Sequence, residues 1–350
     1  MTELERLVGR VADPVVRQYL SMADDSIVAV LPYALAIAAR LDLADACASD
    51  GSTVAELADA TGFDVEPLTS LMAALAGAGF FARDDRGRFT CTELGAVLGA
   101  RSAVSMRATL SNVDTYRAWL RAVDAVGDGR ALPAASGEAF FSDKAQTRES
   151  QQAFSTRMRE RSERLYSGVA KLPVWGDAHT VLDIGGGTGT VLAAVLCAQP
   201  HLNGILFDLD PVIDLAATRS PLDQVRARCA LVTGSFFEEL PENADTHLLC
   251  SVLHDWDDDK AEDILRASAR ALPPGGRVLV CELILPETGE PDPAHWSDLG
   301  MLMLLGGRER GLSDFDKLFA AAGLMRTRVL PVGIFSLIEA TPAAQAARVT

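Results

Sequence analysis

Hydrophobic and polar positions follow two different patterns in the two halves of the chain. In the first half, Ala- and Leu-rich segments recur at helical spacing, and the run from 21 to 47 is apolar almost all round. A helix of that kind has to be buried, in a core or against another subunit. From residue 180 onward, short apolar segments alternate with helical or loop segments, which is typical of a doubly wound parallel sheet. The pattern predicts an α/β domain that follows a mostly helical one.

The second half contains the predicted strands. They lie at 180–184, 204–207, 230–233, 247–252 and 277–282, and a closing hairpin is predicted from 326–332 and 335–340. Apolar runs of this length, separated by helical segments, favour parallel pairing within one sheet.

The first half contains a predicted helix-turn-helix followed by a hairpin. Thr53 and Glu56 have the spacing of a capping box, which predicts a helix beginning there. A second helix is predicted from about 64 to 77, and a polar turn between two short apolar segments follows it. This order is a winged-helix pattern.

The segment between the two halves is predicted to have two parts. Residues 127–142 are predicted to be irregular, and residues 146–172 to form one long amphipathic helix that bridges the domains.

The charge of the chain argues against nucleic acid as a partner. Asp and Glu outnumber Lys and Arg by 48 to 32, and the formal net charge is −16. Binding to nucleic acid depends on clustered cations, yet the candidate recognition helix of the winged element has none. We expect that element to be scaffold. The same charge gives no reason to expect binding to an anionic membrane.

The six cysteines are scattered without a C-x-x-C pair. They indicate buried thiols in a reducing compartment and argue against a disulfide framework or a zinc site. The N-terminal residues lack the order of a signal peptide, and the longest apolar stretch, interrupted by Pro32, is too short to span a bilayer. We therefore expect a cytoplasmic protein.

A glycine-rich turn follows the first predicted strand of the second half. Gly185, Gly187 and Gly189 form G-x-G-x-G, which begins two residues after Asp183. Glycines at such a bend let a ligand approach the backbone without meeting a Cβ atom. The spacing differs from the G-x-G-x-x-G of dinucleotide sites and is typical of S-adenosylmethionine (SAM) binding.

Asp208 ends the next predicted strand, where a carboxylate can accept hydrogen bonds from both hydroxyls of a ribose. Its neighbour Leu209, and Ser251 at the end of a later strand, complete the cofactor contacts predicted at the strand ends. The alternative interpretation is a glycine turn followed by a helix-capping carboxylate.

His254 follows the predicted strand 247–252 directly, with Asp255 beside it. Ligands of open α/β sheets bind beyond the carboxyl ends of the strands, so His254 is a candidate catalytic residue. His247 begins the same strand and lies at its opposite end, where we expect a structural role.

Several motifs in fixed order resemble the plant-type small-molecule O-methyltransferase family, which includes caffeic acid methyltransferases and many bacterial natural-product enzymes. The matching segments are Asp183-Ile-Gly-Gly-Gly-Thr-Gly189, Gly234-Ser-Phe-Phe237, Leu253-His-Asp-Trp256, Leu272-Pro-Pro-Gly-Gly276, Glu282, Gly306-Gly-Arg-Glu-Arg310 and Ala322-Gly-Leu324. The resemblance extends in order through the C-terminal half and is looser in the N-terminal half. It implies a Rossmann-like methyltransferase domain, SAM as cofactor, no metal and a homodimer.

The resemblance also implies roles for individual residues. His254 is the expected general base, with Asp255, Glu282 and Glu309 as its acidic neighbours. Transfer of a proton from a phenol to an ordinary imidazole costs roughly 5 kcal/mol, which neighbouring carboxylates would lower. Ser235 stands where the family commonly has an acidic residue that contacts adenine, so affinity for the cofactor could rest partly on Phe236.

The resemblance places four apolar residues against the acceptor, namely Phe154, Met158, Met301 and Leu305. Ordinary core packing is the competing interpretation for each of them. A pocket of this type would hold an aromatic or polyketide-like ring of a secondary metabolite such as an antibiotic precursor.

Two other functions remain open at this stage. The same fold and cofactor could support hydroxylation, decarboxylation or a pericyclic reaction, although retention of His254, Glu282 and Glu309 favours methyl transfer. A winged-helix regulator with a nucleoside-sensing domain is the other alternative. The predicted domains are 1–100 for dimerisation, 101–172 as a helical connector and 173–350 for catalysis.

Overall fold

The computed structural model describes residues 25–47, 49–103, 105–112, 137–218, 220–288 and 292–343. The chain divides into two compact units, Met1–Tyr116 and Arg117–Thr350. The described elements of the first unit are α1 (Asp25–Arg40), α2 (Leu43–Ala46), α3 (Val54–Thr61), α4 (Val65–Gly77), β1 (Phe81–Arg83), β2 (Phe89–Cys91), a 3-10 helix (Gly95–Leu98) and α5 (Arg107–Leu110).

The predicted winged-helix pattern is confirmed in this unit. The Thr53 hydroxyl accepts a hydrogen bond from the Glu56 N–H, and the Glu56 carboxylate accepts one from the Thr53 N–H, which completes the capping box at the start of α3. After α4, β1 and β2 pair as an antiparallel hairpin. Phe81 and Phe89 of the hairpin are buried against Met72 of α4 in one apolar core.

The prediction of one continuous helix over 21–47 was wrong in its second part, and residues 21–24 lie outside the described residues. The helix ends at Arg40, and Asp42 adopts a left-handed conformation with φ 52° before α2 begins. Asp tolerates this conformation, and the turn lets Leu43 enter the core. One face of α1 is also exposed, with Val30, Tyr33 and Ile37 each about half accessible.

The second unit contains the sheet predicted for it. Its described elements are α6 (Gly137–Ala145), α7 (Arg148–Leu165), a 3-10 helix (Val169–Lys171), β3 (Thr180–Ile184), α8 (Thr190–Ala198), β4 (Asn203–Asp208), α9 (Asp210–Thr218), a 3-10 helix (Pro221–Arg228), β5 (Cys229–Thr233), β6 (Thr246–Cys250), a 3-10 helix (Leu253–Asp255), α10 (Asp258–Ala271), β7 (Arg277–Glu282), α11 (Pro293–Leu305), α12 (Leu312–Ala321), β8 (Leu324–Val332) and β9 (Phe335–Pro342).

Within the described residues the sheet has seven strands in the order β5-β4-β3-β6-β7-β9-β8. The strands from β5 to β7 pair in parallel, and the closing hairpin pairs antiparallel. Successive residues such as Leu248 and Leu249 of β6 enter apolar cores on opposite faces, which explains the continuous apolar runs in the sequence. Chain connections leave β3 and β6 in opposite directions, so a crevice opens at their carboxyl ends.

Two predictions between the domains need correction. The helix expected over 146–172 ends at Leu165, because Tyr166 turns inward against Phe335 with ring centroids 4.7 Å apart.

The segment 127–142 was predicted to be irregular, but α6 begins within it at Gly137; residues 127–136 lie outside the described part. Phe141 of α6 packs against Phe154 of α7, and this contact favours a helix over the loop that Gly and Ser suggested.

No helix among the described residues is long and apolar enough to cross a membrane.

Candidate active site

A cavity of about 380 Å³ opens at the carboxyl ends of the parallel strands, beside α6 and α7. Every strand from β3 to β6 contributes residues just beyond its end, as expected for a ligand site of a doubly wound sheet. The cavity is lined by Glu138, Phe141, Ser142, Ala145, Gln151, Phe154, Ser155, Met158, Arg161, Ser162, Tyr166, Asp183, Gly185, Gly186, Gly187, Thr188, Val191, Asp208, Leu209, Val212, Ser235, Phe236, Phe237, Cys250, Ser251, Val252, Asp255 and Trp256.

The glycine turn forms one wall of this cavity. Gly185 and Gly187 line it with φ of 67° and 61°, in the left-handed region that favours glycine. A Cβ atom on Gly187 would meet no protein atom within 4 Å, so the backbone is open to a ligand. Gly189 is not on the wall: it precedes α8 with φ 81°, and a Cβ atom there would lie 2.4 Å from Leu222 Cδ1. Gly189 therefore has to be glycine because of its left-handed φ and this packing, and not because a ligand approaches it.

Asp208 links the glycine turn to the end of β4. Its Oδ2 accepts a hydrogen bond from the Gly187 N–H at 2.8 Å, and its Oδ1 accepts one from the Leu209 N–H at 2.7 Å. Burial raises the pKa of Asp208 to about 6, against the lowering effect of these two hydrogen bonds. A carboxylate has about four acceptor positions, so lone pairs remain for ribose hydroxyls.

Asp183, at the end of β3, is buried behind the turn. Burial, and then the nearby charge of Asp208, raise its pKa to about 7. Its Oδ2 has no hydrogen-bond partner among the described residues. The open glycine backbone, the spare acceptors of Asp208 and this orphaned oxygen together fit a nucleoside cofactor.

The residues predicted near adenine and at the end of β6 also reach the cavity. Ser235 and Phe236 line it beyond β5. Ser251, which has φ of 50°, lines it beyond β6, and its hydroxyl hydrogen-bonds to the buried phenol of Tyr166. Such a non-glycine residue in the left-handed region is uncommon, and strained positions of this kind cluster at functional sites.

Trp256 packs within a cluster of aromatic side chains. Its ring lies 4.8 Å from that of Phe237, 5.7 Å from Phe236 and 6.0 Å from Phe141, between centroids. The ring is buried and lines the cavity, and its Nε1 has no hydrogen-bond partner among the described residues.

His254 lies in the short 3-10 helix beyond β6 and is only 5% exposed. Its Nδ1 is 2.8 Å from Glu309 Oε1 and 3.6 Å from Glu282 Oε2, and its Nε2 is 3.4 Å from Asp255 Oδ1. The structure thus brings together the four residues predicted to act in catalysis. Within this group Asp255 lies on the cavity wall, while the other three lie behind it.

The backbone around His254 is fixed from two sides. Glu282 Oε1 accepts hydrogen bonds from the N–H groups of Val252 and Leu253, at 3.0 and 2.9 Å. The buried guanidinium of Arg310 donates to the carbonyls of Leu253 and Trp256, both at 2.8 Å. These contacts hold the segment that carries His254 and Asp255.

The charges around His254 shift its protonation. Burial lowers its pKa, but the negative charges of Glu282, Asp255 and Glu309 outweigh burial and raise the pKa to about 9. Burial raises the pKa of Asp255 to about 6, although His254 opposes this. Asp255 is therefore ionised at neutral pH, and His254 becomes a base as the pH rises toward 9.

His247, predicted to be structural, lies at the opposite end of β6. It is fully buried, and its Nδ1 is 2.8 Å from the Ser268 hydroxyl. Burial lowers its pKa to about 4, so it stays neutral.

The four residues predicted to bind the acceptor separate into two groups. Phe154 and Met158 line the cavity from α7. Met301 and Leu305 lie on α11 and do not line the cavity; Leu305 is buried and Met301 half-buried.

The sequence interpretation missed the polar residues of α7. Arg161 lines the cavity, and its Nη1 donates a hydrogen bond to the Tyr166 hydroxyl at 3.0 Å. Gln151 and Ser162 also line it. Their spacing from Phe154 and Met158 places them all on one face of a 3.6-residue helix, which is the signal that could have identified them.

Comparisons with known proteins agree with this geometry. Residues 119–325 match the family model of the O-methyltransferase domain, and residues 27–101 match that of the O-methyltransferase dimerisation domain. The chain is 37% identical over 312 residues to a phenazine O-methyltransferase of Lysobacter antibioticus, covering 88% of this chain and 92% of that protein. It is also 33% identical to the aclacinomycin 10-hydroxylase of Streptomyces purpurascens, over 91% of each chain.

A solved structure is similar across nearly the whole chain. The O-methyltransferase NcsB1 from neocarzinostatin biosynthesis, in complex with SAM and 2-hydroxy-5-methyl naphthoic acid, superposes with a TM-score of 0.78. It is 33% identical and covers 92% of this chain and 98% of its own. The match includes a bound cofactor of the kind that the glycine turn and Asp208 fit. The chain therefore belongs to the O-methyltransferase family and is a SAM-dependent O-methyltransferase.

Proposed function

We propose that the chain transfers a methyl group from SAM to a hydroxyl on an aromatic, natural-product-like acceptor, with His254 as general base. The observation that carries this proposal is the 2.8 Å contact between His254 and Glu309 directly behind a cavity that joins the glycine turn to Phe154 and Met158. Relatives that act on a phenazine or a naphthoate support an acceptor with fused aromatic rings.

The cofactor would be held by residues from three strand ends. Asp208 would accept hydrogen bonds from the ribose, and Ser235 and Phe236 would contact the adenine. Gly185 and Gly187 would let the backbone approach the ligand, with Asp183, Leu209 and Ser251 around them. When bound, SAM supplies a methyl group on a positively charged sulfur.

Asp255 would orient the hydroxyl of the acceptor, and His254 would accept its proton. Asp255 lies on the cavity wall and is 3.4 Å from His254 Nε2, so it can orient the hydroxyl toward that nitrogen. An ordinary phenol has a pKa of about 10. Against a His254 pKa of about 9, proton transfer to its neutral form costs only about 1.4 kcal/mol. Glu309 and Glu282 would stabilise the imidazolium that results.

The acceptor would lie against α7. Phe154 and Met158 form an apolar wall, and a flexible, polarisable Met adapts to irregular ring systems. Trp256 and its aromatic neighbours close the cavity opposite and help to exclude water. Roles for Met301 and Leu305 in binding stay a prediction.

A direct test uses the purified chain, SAM and a panel of hydroxyphenazines and hydroxynaphthoates. We expect a methyl ether and an equal amount of S-adenosylhomocysteine (SAH) from at least one of them. We also expect turnover to fall on His254→Ala substitution. A product methylated on carbon or nitrogen would refute transfer to a hydroxyl.

A second candidate function is non-methylating chemistry on the same fold, which the similarity to a hydroxylase raises. It predicts tight binding of the cofactor and a hydroxylated or decarboxylated product without formation of SAH. The carboxylates that raise the pKa of His254 support methyl transfer instead, because they make His254 a stronger base.

We also propose a cytoplasmic homodimer built from the predicted domains 1–100, 101–172 and 173–350. The match to a dimerisation domain supports the dimer. So do Val30, Tyr33 and Ile37, which leave a half-exposed apolar stripe along α1.

A further inference from the structure

Arg161 is a cation on the cavity wall that the proposed mechanism does not use. It lies on α7, three residues after Met158 and seven after Phe154, so all three share one helix face. Its guanidinium therefore faces the same space as the apolar residues proposed to hold the acceptor.

The contacts of this guanidinium leave most of its donors unused. It donates one hydrogen bond, from Nη1 to the Tyr166 hydroxyl at 3.0 Å, and lies 5.7 Å from the ring centroids of Tyr166 and Phe335. Within the described part of the chain it forms no salt bridge, in contrast to Arg159, two residues earlier on the same helix, which pairs with Glu163. A guanidinium carries five donors in a fixed fork that matches a carboxylate.

The charge of Arg161 is permanent in this setting. Burial lowers its pKa, but Tyr166, Asp255 and Glu282 outweigh burial and raise it. Of these groups, the carboxylates of Asp255 and Glu282 attract the guanidinium from a distance but do not occupy its donors. Arg161 is partly buried, and a cation enclosed by protein without a contacting anion is costly, so an anion from a ligand would be bound strongly there.

We propose that Arg161 binds a carboxylate group inside the cavity. This proposal rests on the proposed function, since that function supplies two sources of a carboxylate: the aromatic acceptor and the amino-acid portion of the cofactor. The position of Arg161 beside Phe154 and Met158 is consistent with the first source. Its contact with Tyr166, which hydrogen-bonds to Ser251 at the end of β6, is consistent with the second.

The test compares two pairs of ligands that differ in the carboxylate. SAH is compared with methylthioadenosine, which lacks the amino-acid portion, and a hydroxynaphthoate is compared with its neutral carboxamide in the presence of SAH. Dissociation constants are measured by calorimetry for the unaltered chain, Arg161→Gln and Arg161→Lys. Arg159→Gln is the matched control, because it removes a cation from the same helix outside the cavity lining.

We expect Arg161→Gln to weaken binding of the carboxylate member of one pair by roughly 10- to 100-fold, with its neutral partner unchanged. A selective loss for SAH identifies the cofactor as the source, and a selective loss for hydroxynaphthoate identifies the acceptor. Arg161→Lys should lose less, since it keeps the charge without the fork.

Equal effects on both members of each pair, or no effect, would overturn the proposal, because a merely structural role does not distinguish a carboxylate from its neutral analogue. Failure of the proposed function would look different. The unaltered chain would then bind SAH but release no methyl ether from any hydroxylated acceptor, while the comparison of SAH with methylthioadenosine would still decide the role of Arg161.

Discussion

Among single residues, His254 is the proposed base, and its carboxylate neighbours make it a stronger one. Removal of a positioned general base typically costs a hundredfold to ten-thousandfold in rate. We expect His254→Ala to lower kcat by about that factor while the dissociation constant of SAH stays unchanged. Steady-state kinetics and calorimetry measure the two quantities. His179→Gln is the control, since His179 is exposed and absent from the cavity lining.

The carboxylates around His254 set the pH dependence. Because the neutral imidazole accepts the proton, kcat/KM should rise with pH until the His254 pKa of about 9 is passed. Glu309→Gln removes the negative charge 2.8 Å from His254 Nδ1 while its amide oxygen still accepts a hydrogen bond, so the pKa of His254 falls and the rising limb of the profile moves to lower pH. A pH profile of kcat/KM measures this, with exposed Glu239→Gln as the control. If the rising limb of the kcat/KM profile of Glu309→Gln lies at the same pH as that of the unaltered chain, another group is the base.

The sequence predicted most residues of the active site, but not which of them line the cavity and which lie behind its wall. The order of motifs identified His254, Glu282 and Glu309, and the structure brings all three together. These three residues lie behind the wall of the cavity, whereas Asp255 lies on it. This arrangement depends on how the segment after β6 turns, and no local sequence pattern predicts that turn. Arg161 was missed because it lies in a run of charged residues, and only its helical spacing from Phe154 and Met158 places it on the enclosed face.

Among the elements, the turn between β3 and α8 requires glycine at position 189 for two reasons, its backbone conformation and its packing. Gly189 has φ 81°, and an added Cβ atom would also lie 2.4 Å from Leu222 Cδ1. Gly323 has a similar φ of 75° with no atom near the added Cβ, so it isolates the backbone effect. We expect Gly189→Ala to lower the free energy of unfolding by about 1–3 kcal/mol more than Gly323→Ala, because of overpacking. Denaturant unfolding measures both, and equal losses would contradict the packing role.

Strand positions were predictable to within a few residues because buried parallel strands produce continuous apolar runs. Helix ends were less predictable. The end of α1 at Arg40 follows from the left-handed turn at Asp42, and the start of α6 at Gly137 follows from aromatic packing of Phe141. The turn at Asp42 lets Leu43 enter the core, and Phe141 packs against Phe154 of the next helix; the local pattern of apolar residues does not contain such tertiary contacts.

At the scale of the whole molecule, the exposed stripe of α1 predicts self-association. Ile37→Glu places a charge in that stripe, and we expect it to convert a dimer into a monomer at micromolar concentration. Phe63→Glu is the control, since Phe63 is similarly exposed but lies outside α1. Light scattering coupled to gel filtration measures the mass. A monomeric unaltered chain would contradict the proposed homodimer.

We expect the chain to transfer a methyl group to an aromatic hydroxyl inside the cavity beyond β3 to β6. Mass spectrometry of the products formed from SAM and an aromatic hydroxyl acceptor measures this reaction. The expected products are a methyl ether and SAH in equal amounts, with both strongly reduced in His254→Ala. An oxidised or decarboxylated acceptor formed without SAH would contradict methyl transfer.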